Sequence, residues 1–135
     1  MKTIPRGLRN NNPGNIRLSK QPWQGEVRPS QDKAFCQFET MAYGYRALMK
    51  LLQNYKKLHG CNTIAQMIQR WAPPEDNNHT ASYINTVCRR IGIESGRHID
   101  VTDKAIMMSL ASAISFVENG VVADMADVEQ GWNLL

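Results

Sequence analysis

Glu118 closes an apolar run that begins near Ile106, and Asn119-Gly120 follow it directly. A charged residue rarely sits at the end of so apolar a helix without cause. Its spacing from Ile114 and Val117 sets the carboxyl beside the buried face. A carboxyl partly withdrawn from water there can serve as a general acid. Glycoside cleavage needs such a group, to protonate the leaving oxygen. The competing reading is an exposed terminal carboxylate. A negative charge near a helix C-terminus is mildly unfavourable, so that reading leaves the choice of Glu unexplained. Glu39, after Phe38, is a reserve carboxylate, or equally a first-turn helix acid beside Thr40. Asp32, Glu75 and Asp76 read as loop acids.

A second stretch with chemical potential is Arg6-Gly7-Leu8-Arg9-Asn10-Asn11-Asn12-Pro13-Gly14-Asn15-Ile16-Arg17. Proline fixes φ and glycine permits positive φ, so Pro13-Gly14 predicts a tight turn. Asparagine amides bond readily to nearby backbone and favour loops. The stretch is either an ordinary turn or a loop whose amides and arginines line a polar site.

Other chemistries find little support. His59, His79 and His98 share no metal or triad spacing. Cys36, Cys61 and Cys88 show no CxxC or His-paired spacing, so neither a zinc site nor a disulfide framework is indicated. They suit small apolar residues in a reducing compartment. No serine is framed as G-x-S-x-G, and no Walker or dinucleotide glycine pattern is present. No cofactor and no metal are expected. The net charge of +4 suits an anionic partner, but the basic residues are scattered, which argues against nucleic acid. The polar N-terminus predicts no signal peptide, hence synthesis in the cytoplasm, and no apolar run is long enough to span a membrane.

A chain of 135 residues makes a single domain, 1–135. Residues 18–33 carry turn chemistry, and Trp23 beside a turn either covers the core or faces a ligand. Ala34–Phe38 is β-capable and is expected to pair near Ile16-Arg17-Leu18. Helical spacing then joins Tyr45, Leu48, Met49, Leu52 and Tyr55, with Thr40 as N-cap and Gly60 as stop. Ile64, Met67, Ile68 and Trp71 repeat it, capped by Asn62 or Thr63 and ended by Pro73-Pro74. Thr80 opens a third helix with Tyr83, Ile84, Val87, Cys88 and Ile91 on its apolar face. Thr102 is expected to cap a fourth, which ends at Glu118-Asn119-Gly120. That helix is apolar nearly all round, the mark of a buried centre. A last helix spans Asp124–Leu134. The sum is an α+β, mainly helical domain with one small β element.

Arg9-Asn10-Asn11-Asn12-Pro13-Gly14-Asn15-Ile16-Arg17, Trp23-x-Gly25, Phe35-x-x-Phe38-x-Thr40, Gly44-x-Arg46-Ala47 and Trp71-Ala72-Pro73-Pro74-Glu75-Asp76-Asn77 resemble a family of small phage and prophage proteins. These are described as virion structural or lysozyme-like proteins. More distantly the chain is similar to bacterial glucosaminidases of the lysozyme superfamily. Those carry a helix ending in Glu-Ser-Gly, then an Asn-Asn-Leu-Phe-Gly-Ile-Lys block, a Phe-x-x-Tyr-x-Ser segment and a site tyrosine. Here Asn11–Arg17 resembles the second element, Phe35-x-x-Phe38-x-Thr40 the third, and Tyr83 the tyrosine. Ala113–Gly120 resembles the catalytic helix, moved to the C-terminal side, with Asn119 in place of serine and no second carboxylate assigned.

The resemblance implies a circularly permuted, lysozyme-like domain that cleaves the glycan strands of peptidoglycan. Glu118 would be its general acid/base and Glu39 the reserve. Asn11, Asn12, Asn15, Tyr83 and Trp23 would contact substrate. A single acid fits a muramidase, a glucosaminidase or a lytic transglycosylase. The alternative is a non-catalytic virion structural or cell-wall-binding protein that acts at the wall or within a virion beside other virion proteins.

Overall fold

The computed structural model describes residues 3–76 and 78–135. Met1 and Lys2 of the polar N-terminus, and Asn77 of the loop after the two prolines, lie outside the described residues. Arg6–Arg9 form one helical turn, α1, where only irregular chain was expected. Glu26–Val27 (β1) and Gln37–Phe38 (β2) then pair antiparallel, Glu26 opposite Phe38 and Val27 opposite Gln37. The expected pairing of residues 34–38 with 16–18 also exists, reduced to a single bridge between Arg17 and Phe35. Cys36 N–H donates to the Ile16 carbonyl at 2.9 Å, and Leu18 N–H to that of Ala34 at 2.9 Å. The segment thus has two partners in succession, one of them from the stretch read as irregular.

The helices follow the periodicity. Met41–His59 form α2, whose first turn is capped by Thr40, with Gly60 in the left-handed region at φ 66°. Ile64–Trp71 form α3, opened by a Thr63 and Gln66 capping box. A 3-10 turn, Pro74–Asp76, leads to α4, Thr80–Ile91. Lys104–Asn119 form α5 and Met125–Asn133 form α6. The cap of α5 is Asp103, which accepts from Ile106 N–H at 3.0 Å. Thr102, expected there, instead donates its hydroxyl to Asp100. A carboxylate at the cap also meets the positive end of the helix, which a hydroxyl cannot.

Helix α5 is the hub, packed by α1, α2, α4 and α6. Met107, Leu110, Ala111, Ala113 and Ile114 are buried in one core with residues of α2, α3, α4 and α6. Tyr45 of α2 reaches through this core to Ser115, its hydroxyl 3.0 Å from Oγ. Burial is not uniform, however. Ala105 is exposed, and with Met108 and Met125 it lines a shallow surface hollow. The all-round apolar pattern overstates how much of the first turns is covered.

A smaller core holds Ile16, Cys36, Phe38 and Ala47, with Trp23 packed against it. Burial pushes the Cys36 thiol up to about 11, with Glu26 adding to the effect, so it is no nucleophile at neutral pH. None of the three cysteines is paired in a disulfide.

Asp32 lies in a loop, as its sequence context predicts. Its side chain is only 9% exposed and ties α1 to the β segment. It accepts from Arg6 Nε and Nη2 at 2.5 and 2.7 Å and from the N–H groups of Ala34 and Phe35 at 2.9 and 3.1 Å. The Arg6 hydrogen bonds first, and the Ala34 N–H second, hold its carboxyl well below the usual carboxylate range. A depressed folded-state value stabilises the fold above the unfolded value of about 3.9 and is lost as pH falls below it. Asp32→Asn should therefore be less stable than wild type at pH 7, and the gap should narrow toward pH 3. Urea midpoints at the two pH values test this; parallel declines would show that Asp32 is not the titrating tie.

Candidate functional site

The site begins with the asparagine loop. Asn11 and Asn15 take the left-handed conformation, each at φ 51°, while Gly14 does not. Asparagine tolerates that region better than other side-chain-bearing residues. The positive φ expected at glycine therefore falls on Asn11 and Asn15. Gly14 is demanded by contact instead: a Cβ there would lie 2.8 Å from Trp71 Cζ2. Asn12, wholly buried, organises the turn. Its Nδ2 donates to the carbonyls of Ile16 (3.0 Å) and Cys36 (2.9 Å), and its Oδ1 accepts from Ile16 N–H at 2.9 Å. Asn11 Nδ2 donates to the Phe38 carbonyl at 3.1 Å. Two of the asparagines therefore build the loop, and Asn15 is the one it presents.

Asn15 Nδ2 donates to Glu118 Oε1 at 2.9 Å, and the Tyr83 hydroxyl donates to Glu118 Oε2 at 2.8 Å. Burial, and next the Glu118 charge, drive the Tyr83 phenol far above its ordinary value. It stays an O–H donor at any working pH. Each carboxyl oxygen of Glu118 thus has one fixed donor and keeps a further acceptor position. The next residue pins the helix end to the loop: Asn119 Nδ2 donates to the Pro13 carbonyl at 2.9 Å and to that of Ser115 at 3.0 Å. The Oδ1 atoms of Asn15 and Asn119 are buried without a hydrogen bond among the described residues. Both face Gly7, where a Cβ would clash with Asn119 Oδ1 and sit 3.0 Å from Asn15 Oδ1. Only a glycine lets α1 close over these two amides.

Glu118 stands where two hollows meet. One, of about 310 Å³, is lined by Asn15, Arg17, Phe35, Tyr55, Arg70 and Trp71. The other, of about 290 Å³, is lined by His79, Ser82, Tyr83, Thr86 and Val117. Glu118 and Asn78 border both. Tyr55 and Trp71 are the last residues of the apolar stripes of α2 and α3. Their rings meet edge to face, with centroids 6.5 Å apart, where the stripes run out of the core. The arrangement can hold a half-buried carboxyl, oriented by two donors, against a long ligand lying across it.

Of the residues singled out from sequence, Glu118, Asn15 and Tyr83 are brought together. Asn11 and Asn12 are not cleft walls, because their amides are spent on backbone. Trp23 covers the smaller core and lines neither hollow. Glu39 is exposed after β2, away from both hollows. Besides Glu118, the acid that reaches the larger one is Asp76, exposed at its rim at the end of the 3-10 turn. Sequence reading missed it because nothing in Pro-Pro-Glu-Asp indicates a neighbour so distant along the chain. It also missed Asn119, whose signal was a small polar residue at a buried helix end. Among the described residues no group of three or more His, Cys, Asp or Glu could hold a metal, and no helix is long and apolar enough to cross a membrane.

No family model matches the sequence. Over 119 residues the chain is 39% identical to Protein P5 of Pseudoalteromonas phage PM2, a match that covers 85% of this chain and 71% of that protein.

Proposed function

This chain belongs to the family of Protein P5 of Pseudoalteromonas phage PM2, and from the geometry of its site we propose a lysozyme-like domain that cleaves the glycan strands of peptidoglycan. The observation that carries this reading is the Glu118 carboxyl, held by Asn15 and Tyr83 at the meeting point of two hollows. Protonated Glu118 would give its proton to the glycosidic oxygen as the bond from the anomeric carbon breaks. The resulting carboxylate would then take a proton from the attacking hydroxyl. That hydroxyl belongs to water in a hydrolase and to the saccharide itself in a lytic transglycosylase. Asn15 and Tyr83 fix which way the carboxyl faces in both halves of the cycle. The joining of residues 12–15 to the end of α5 supports the circular permutation, since the acid's helix meets the asparagine loop from the far side of the sequence.

Kinship with a phage protein supports a second reading more directly than the first: a non-catalytic virion component or wall-binding protein built on the same frame. Incubation of the purified protein with murein sacculi separates the two. Glycan cleavage releases soluble muropeptides, with reducing ends from a hydrolase or products lighter by one water from a transglycosylase. Sedimentation with the sacculi and no released muropeptide would leave the binding reading alone.

A further inference from the structure

The two hollows that meet at Glu118 differ in chemistry. One is lined by the hydroxyls of Ser82 and Thr86. The other carries two arginines, Arg17 and Arg70. Neither arginine is in an ion pair among the described residues, although three such pairs form elsewhere. Each guanidinium is braced on an aromatic ring: Arg17 lies 5.1 Å from the centroid of Phe35, and Arg70 lies 5.5 Å from that of Tyr55. Stacking of this kind holds the plane of the group while leaving N–H edges open, the geometry that receives carboxylates. Arg70 spends Nη2 on His59, 3.1 Å away, which fixes its direction further. Asp76 on the rim offsets one of the two positive charges, so this arm stays net positive up to Glu118.

We infer that the Arg17 and Arg70 arm binds the carboxylates of a peptide substituent on the sugar strand, while the Ser82 and Thr86 arm takes unsubstituted sugar. This rests on the glycan reading above and deepens it. The ligand is an anionic, peptide-bearing saccharide rather than a neutral one, and the strand has a set direction across the acid.

Calorimetric titration of the Glu118→Gln protein, chosen to prevent turnover, tests it. The ligands are a murein disaccharide-tripeptide, the same compound with its carboxyls amidated, and chitotetraose. Amidation should weaken binding about tenfold or more, the scale of a lost charge-assisted contact. Arg17→Gln with Arg70→Gln should weaken the free-acid ligand by a similar factor, abolish the amidation effect, and leave chitotetraose unchanged. An amidation-independent affinity, or an equal loss on chitotetraose, overturns the inference while the glycan reading stands. Failure of all three ligands to bind overturns both.

Discussion

Glu118→Gln should lower murein cleavage by roughly a thousandfold, within the range for loss of a positioned general acid, while leaving the fold intact. The amide keeps the size of the carboxyl and can still accept from one of the two donors, Asn15 or Tyr83. The other contact becomes amide against donor, a local cost the half-buried position can absorb. Turbidity of a murein suspension reads the activity, and a thermal unfolding midpoint near that of wild type checks the structure. Undiminished lysis would remove Glu118 from the mechanism, however well its partners are arranged. Glu118→Asp is the sharper companion. It keeps the charge but draws the carboxyl back by one methylene, away from both donors, so it should also be severely impaired.

The second large effect is expected at Gly44, inside α2. A Cβ there would run into the Asn11 carbonyl and lie 2.6 Å from Pro13 Cδ. Alanine would add up to about 1 kcal/mol of helix propensity. Overpacking typically costs about 1–3 kcal/mol, and here the obstacle is backbone of a tightly bonded loop, so the clash wins. A net loss of about 2 kcal/mol is expected from urea denaturation. Gly96→Ala, where nothing lies within 4 Å, should be within about 0.5 kcal/mol of wild type and is the control. Activity should fall further than stability, because a displaced loop carries Asn15 away from Glu118. A Gly44→Ala protein as stable as wild type would mean that the loop is not seated on α2 as described.

Much of the helical frame was legible because caps and stops are local. Thr40, Thr63, Gly60 and Gly120 do their work within four residues of where they stand, so composition and spacing suffice to find them. The Thr102 assignment failed within that same range. Two adjacent residues could each cap, and the choice turned on charge at the helix end. The β element was half legible, because its second partner lies in a stretch of turn-forming residues with no alternation to mark it. The carboxyl at the end of α5 stood out by its contrast with the apolar run before it. What could not be read was the division of labour among the asparagines. Asn11, Asn12 and Asn15 share one chemistry. Which of them bonds to backbone and which reaches Glu118 depends on where Ile16, Cys36 and Phe38 place their carbonyls, a property of three-dimensional proximity alone.

Asn15 meets Glu118 across 103 positions of sequence, and Asn119 meets Pro13 across 106. Contacts so remote must wait for nearly the whole chain, since closing a long loop costs entropy before any contact can repay it. The asparagine turn can close on Ile16, Cys36 and Phe38 while later residues are still being made. The carboxyl and the amide that aims it come into register only after α5 has been synthesised and docked. The nascent chain would therefore pass through synthesis with Glu118 and Asn15 still apart.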